Sequence, residues 1–192
     1  MLLKNDVMQS YLCDKLWRKT LFEEIIFSEG KTYEDIEVMY KLFERAKKIV
    51  CLPDGKYHYL QRLGSITKNI SLANRIDYHD AALKRYEDMR ESWPQFLPQL
   101  EGQCLVSAIG IWCSYLHSTR EEKQKYRTDI QRISQFSKLH YKSAYKYLKL
   151  GKAGKIIVIL TKHTAWWAFA LAEVINFFYK KKKRKIPVKR GR

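Results

Sequence analysis

From residue 71 onward the chain is written almost without strand signals, and this confines the fold more than any other feature. Stretches with apolar residues at spacings of three and four follow one another over 71–93, 95–117 and 119–149. Pro94 and Pro98 punctuate the first two, because proline has no amide hydrogen to continue a helical ladder. Gly151 and Gly154 separate the third from a final apolar segment. The pattern predicts a helical body that begins at a soft boundary near residue 70, dividing the chain into 1–70, 71–150 and 151–192.

The first part has a different texture. Leu12, Leu16, Leu21 and Phe22 give a mixed apolar pattern that predicts a short helix and an extended lead-in over 7–27, closed by a turn at Ser28-Glu29-Gly30. From Tyr33 the period is clearer. Ile36, Met39, Tyr40, Phe43 and Ala46 mark a buried stripe, with Glu37, Lys41 and Glu44 opposite, on a helix running toward Val50. A short apolar strand over 49–52, a Pro-Asp-Gly turn and alternation through Tyr57 and Tyr59 then predict a β-hairpin. Glu34 and Asp35 stand where the helix begins. Acids there complement the helix dipole, worth about 0.3–1 kcal/mol, so a structural role would account for them.

Charge divides the chain as sharply as texture does. Residues 1–100 carry 16 basic and 15 acidic side chains, residues 101–192 carry 21 and 5, and the total is +17. The second half therefore calls for an anionic partner. The four cysteines are irregularly spaced, with no CxxC pair, and are expected to be reduced thiols. Cys113 and His117 lie four apart on one helical pattern, but no further ligand completes a metal set. The opening MLLKNDVMQS has no basic-then-apolar signal pattern, so the chain is expected in the cytoplasm or at the inner face of the membrane.

The segment 156–179 is long and apolar, yet Lys155, Lys162, Glu173, Asn176 and Lys180 fall in one stripe roughly 60° wide by the helical period. Two placements stay open. As an interfacial helix it would lay Trp166 and Trp167 into the headgroup boundary; as a core helix it would pack on the preceding ones. Spanning is disfavoured, since Lys162 and Glu173 would each cost roughly 3 kcal/mol in the bilayer core. The last thirteen residues hold nine basic ones. Their place directly after an amphipathic helix points to an anionic membrane surface. Nucleic acid is disfavoured, because no aromatic residues interleave the charges as stacking platforms.

Residues 10–67, SYLCDKLWRKTLFEEIIFSEGKTYEDIEVMYKLFERAKKIVCLPDGKYHYLQRLGSIT, resemble the second half of the catalytic domain of family 2 glycosyltransferases, especially bacterial enzymes that build capsular and other surface polysaccharides. Three motifs carry the resemblance in order: CDKLW where the family has Trp-Asn-Lys-Leu-aromatic, FSEGKTYED, and YHYLQRLGSIT. The resemblance implies an α/β fold of the GT-A type, of which this chain would be the C-terminal part, mostly α-helical with a short β-hairpin. It implies that Asp35 is the general base that takes the proton of an acceptor hydroxyl, with Glu34 positioning it or the acceptor. Gln61 and Arg62 would bind substrate, Arg62 through the donor diphosphate, for which a guanidinium fork is suited. Lys15 and Trp17 would line the acceptor side, where Cys13 departs from the family's tryptophan. The complete family enzyme uses a divalent metal held by an Asp-x-Asp motif, which the 192 residues do not contain. The expectation is a glycosyltransferase portion that transfers nothing unless an N-terminal donor-binding half joins it as partner. The alternative is a membrane-associated, non-catalytic scaffold or remnant.

Overall fold

The computed structural model describes residues 10–52, 55–58, 60, 70–144 and 156. Gln61 and Arg62, nearly all of the predicted interfacial helix and the basic tail lie outside the described residues. Short 3-10 turns at Lys19–Phe22 and Pro94–Phe96 accompany α1 (Glu34–Arg45), α2 (Leu72–Ser92), α3 (Leu97–His117), α4 (Arg120–Lys125) and α5 (Arg127–Ala144). The chain divides into two compact units, Met1–Leu100 and Glu101–Arg192.

In the first unit the predicted helix within 7–27 reduces to the Lys19–Phe22 turn. Aromatic contacts replace helical ones there. The Trp17 indole donates to the Leu12 carbonyl at 3.1 Å, and its ring meets the edges of Phe22 and Phe43 at 6.1 and 5.7 Å. Helix α1 stops at Arg45, short of Val50, where the Ala46 amide turns back to the Leu42 and Phe43 carbonyls. Arg45 ties this end to the earlier turn by donating to the carbonyls of Leu21 and Glu23.

The buried side of α1 is wider than its period indicates. Ile36, Val38, Met39, Tyr40 and Leu42 are buried, and so is Glu37, which the helical period places on the polar face. Its carboxylate accepts from Ser28 Oγ at 2.6 Å and from Lys84 Nζ at 3.0 Å, so the charge is carried inward with partners.

Helix α2 begins with a capping box. The Asn74 amide donates to Ser71 Oγ and the Ser71 amide to Asn74 Oδ1, both at 3.1 Å, satisfying donors that a helix start leaves open. Losing such a cap costs about 1 kcal/mol. Ser71→Ala should therefore destabilise the first unit by that amount, read as a fall of roughly 0.3–1 M in its urea midpoint, and amide exchange should speed up in the first turn of α2. An unchanged first turn would refute the cap.

Cross-helix pairs fix how α1 and α2 run. Glu37 meets Lys84, Lys41 meets Asp88 at 2.9 Å, and Glu44 accepts from Trp93 Nε1 at 3.2 Å. Both numbers rise together, so the helices lie parallel.

No β-hairpin is seen among the described residues; Pro53, Asp54, Tyr59 and residues 61–69, which hold part of the predicted turn and second strand, lie outside them. Residues 49–52 and 55–58 form no strand, and Ile49, Val50 and Leu52 are 51%, 68% and 69% exposed. β-Branched residues favour a pleated surface only when a neighbouring strand supplies one, and an isolated two-stranded ribbon is marginal in water. The mostly helical character itself holds among the described residues.

In the second unit α3 buries Cys104, Leu105, Ala108, Ile111 and Trp112, a stripe at helical spacing. On α5 the buried stripe is Ile130, Ile133, Ser134 and Ser137, with both hydroxyls satisfied by carbonyls one turn back at 2.9 and 3.0 Å. His140 Nδ1 lies 2.9 Å from Glu101 Oε1 and its ring stacks on Phe136. The single helix predicted over 119–149 is interrupted at Tyr126, whose φ of −98° and ψ of 14° leave the helical range. Thr119 caps α4 through a reciprocal pair with Glu122. No helix among the described residues is long and apolar enough to cross a membrane.

Candidate active site

The site is built where the chain enters α1. Gly30 adopts a φ of 70° in the turn predicted from Ser28-Glu29-Gly30. Tyr33, directly before the helix, adopts φ 67° and ψ 29°, a left-handed conformation that is uncommon outside glycine, asparagine and aspartate. It offers no side-chain cap, so the first turn relies on Glu34, Asp35 and Glu37 to complement its exposed amides.

Asp35 is half-buried and Glu34 exposed. Asp35 Oδ1 accepts from the Ile36 amide at 2.8 Å, which fixes the carboxylate against the backbone. Burial pushes its pKa above the ordinary carboxylate range; the Ile36 amide opposes this, the Glu34 charge adds to it and Lys15 opposes it. Lys15 is thus brought within electrostatic reach of Asp35. Its ammonium also donates to the Tyr11 carbonyl at 2.7 Å and pairs with Asp14. Trp17 packs against Phe43 near the far end of α1, eight residues from Asp35, so of the CDKLW segment it is Lys15 that acts on the carboxylate.

Several participants lie on α2, outside the motifs. Lys31, Thr32 and Tyr33 are gripped by one side of α2. Asp77 Oδ1 accepts from Lys31 Nζ at 2.9 Å, and Asp77 Oδ2 accepts from the Thr32 amide at 3.2 Å and from Thr32 Oγ1 at 3.1 Å. Burial alone would raise the Asp77 carboxyl, but these donors together hold it below the usual range. Asn74 adds a longer contact to Thr32 Oγ1, and the Tyr33 ring meets Tyr78 edge-on at 5.1 Å. Burial raises the Tyr33 phenol; Arg75 opposes it, and the nearby Asp35 and Asp77 charges reinforce it. Asp77 and Asn74 sit three apart and share a helix face, which the sequence shows, but nothing local ties that face to Thr32.

Among the described residues no group of three or more His, Cys, Asp or Glu side chains could hold a metal ion. The arrangement can accept one proton at a fixed, partly desolvated carboxylate.

No protein-family model matches the chain, and no solved structure matches it. A stretch of 54 residues is 41% identical to Glycosyltransferase GlyG of Streptococcus pneumoniae serotype 4 (strain ATCC BAA-334 / TIGR4), covering 28% of this chain and 18% of that protein. The match therefore spans less than a fifth of the relative's length. Part of this chain is accordingly related to part of a glycosyltransferase.

Proposed function

We propose that the segment around α1 is the acceptor-side portion of a family 2, GT-A-type glycosyltransferase catalytic domain, with Asp35 as general base in surface-polysaccharide synthesis. The observation that carries this is the Asp35 carboxylate, directed by the Ile36 amide at a helix start and raised in pKa by burial. An acceptor hydroxyl is a weak nucleophile until its proton is removed. As its oxygen bonds to the anomeric carbon, the proton passes to Asp35 and the bond to the nucleoside diphosphate breaks, the electron pair leaving with the phosphate. Glu34 and Lys15 tune the charge beside it, and Arg62 with Gln61 would bind donor phosphate and sugar. The family's divalent metal needs a ligand set that the described residues do not offer, so no step is assigned to it here.

A donor-binding half is the partner this reading requires. Ile49, Val50, Leu52 and Leu60 follow α1 as an exposed apolar series, the kind of surface that marks a protein contact. The amphipathic segment and basic tail would hold the assembly at an anionic membrane face.

The test joins a family 2 donor-binding half ahead of Ser10 and measures nucleotide-sugar binding by calorimetry, and transfer, with and without it. Binding and transfer should appear only in the joined protein. Val50→Lys combined with Leu52→Lys should weaken association of the two halves supplied separately by tenfold or more, on the order of 1.4 kcal/mol. A folded joined protein that gives neither heat nor transfer would favour the non-catalytic scaffold.

A further inference from the structure

We propose that Asp77 on α2 is the positioning residue for Asp35, acting through Lys31, Thr32 and Tyr33 to fix the direction in which α1 presents its first carboxylate. This rests on reading Asp35 as the base, and it assigns a role in the site to the helical part of the chain, beyond the stretch that resembles the family. Three donors from two consecutive residues converge on one carboxylate that is 16% exposed. Such a grip fixes the backbone as well as a side chain, because one donor is the Thr32 amide itself. The next residue, Tyr33, is held in a left-handed conformation that costs of order 1–3 kcal/mol unless its surroundings impose it. Asp77 before it and the Tyr78 ring against it are those surroundings. Glu34 and Asp35 follow with no further freedom, since their backbone is already helical.

Asp77 touches none of the reacting atoms in this scheme. Its removal should therefore act on the orientation of Asp35 rather than on substrate affinity. A displacement of about 1 Å can cost up to a hundredfold in rate.

The experiment uses Asp77→Ala and Asp77→Asn in the full chain, with the Asp35 carboxyl titration and the Tyr33 backbone conformation followed by NMR. In Asp77→Ala the Asp35 titration should move down toward the ordinary carboxylate range and the left-handed Tyr33 signature should vanish. In Asp77→Asn, where the amide oxygen can still accept from Thr32, both should be largely retained. In the donor-half chimera Asp77→Ala should lower kcat about tenfold to a hundredfold at nearly constant acceptor KM. It should add no further loss in an Asp35→Asn background. Equal losses in both backgrounds would overturn the inference, as would a native Asp35 titration in folded Asp77→Ala. If Asp77→Ala fails to fold, Thr32→Val deletes one of the three donors and gives the same readouts at smaller amplitude; a native titration there overturns the inference too. Activity that survives Asp35→Asn removes the base assignment instead, and the NMR titration still decides whether Asp77 positions that carboxyl.

Discussion

Asp35→Asn is expected to lower sugar transfer in the donor-half chimera by about 10²–10⁴-fold, the usual contribution of one positioned general base. Asparagine keeps the shape and can still accept from the Ile36 amide through its oxygen, so the start of α1 should survive. Only proton acceptance is removed. The loss should appear in kcat and kcat/KM together, with donor binding by calorimetry unchanged. The same substitution should have the opposite effect on stability. Burial holds the Asp35 carboxyl above its ordinary pKa. A carboxyl with a higher pKa folded than unfolded favours the fold while protonated, and that contribution is lost as pH rises through the folded value. Relative to Asp35→Asn, the native protein should therefore lose stability between acid pH and neutrality, as read by urea unfolding at both ends. A rate within threefold of native in a folded variant would end the assignment. So would a stability gap that widens in the native protein's favour toward pH 7.

How much of this was legible depends on whether the deciding partner lies near in sequence. Pro94 and Pro98 mark the passage from α2 to α3 within a few residues of where they act, and α2 and α3 form as their spacing predicts. Glu37 shows the opposite case. Its helical period puts it on the solvent side, but Ser28 and Lys84, nine and 47 residues away, make an inward carboxylate acceptable. No strand forms at 49–52 or 55–58 for a related reason: β-branched residues state a preference that needs a neighbouring strand. Asp35 stood out through its motif, and its fixed, desolvated carboxylate is a property of the folded segment. The Asp77 grip was invisible, because no pattern links an aspartate in α2 to a lysine and threonine 46 and 45 positions earlier. Tyr33 was equally hidden, since a tyrosine carries no sign that it will adopt a glycine-like backbone.

Leu42→Ala should give the largest loss of stability in the first unit, about 2–5 kcal/mol, as for other fully buried leucines. Leu42 is completely buried on α1, the helix that opens with Glu34 and Asp35. The helix is hemmed in on more than one side. Polar pairs tie Glu37 and Lys41 to α2, and Phe43 makes a T-shaped contact with Trp17. Side chains held this way relax little into a void, so the cavity remains and its cost is felt in full. Leu42→Met keeps the volume and should cost less than about 1.5 kcal/mol. Against a total stability of about 5–15 kcal/mol for an ordinary domain, the alanine loss would leave α1 opening often. Amide exchange across Glu34–Arg45 should accelerate together, while the buried stripe of α5 keeps its protection. Because Asp35 is aimed by this helix, transfer should fall steeply with temperature in Leu42→Ala yet approach the native rate in the cold. A temperature-independent deficit would place Leu42 in substrate contact, and no loss of stability would mean that α1 is not part of the packed core.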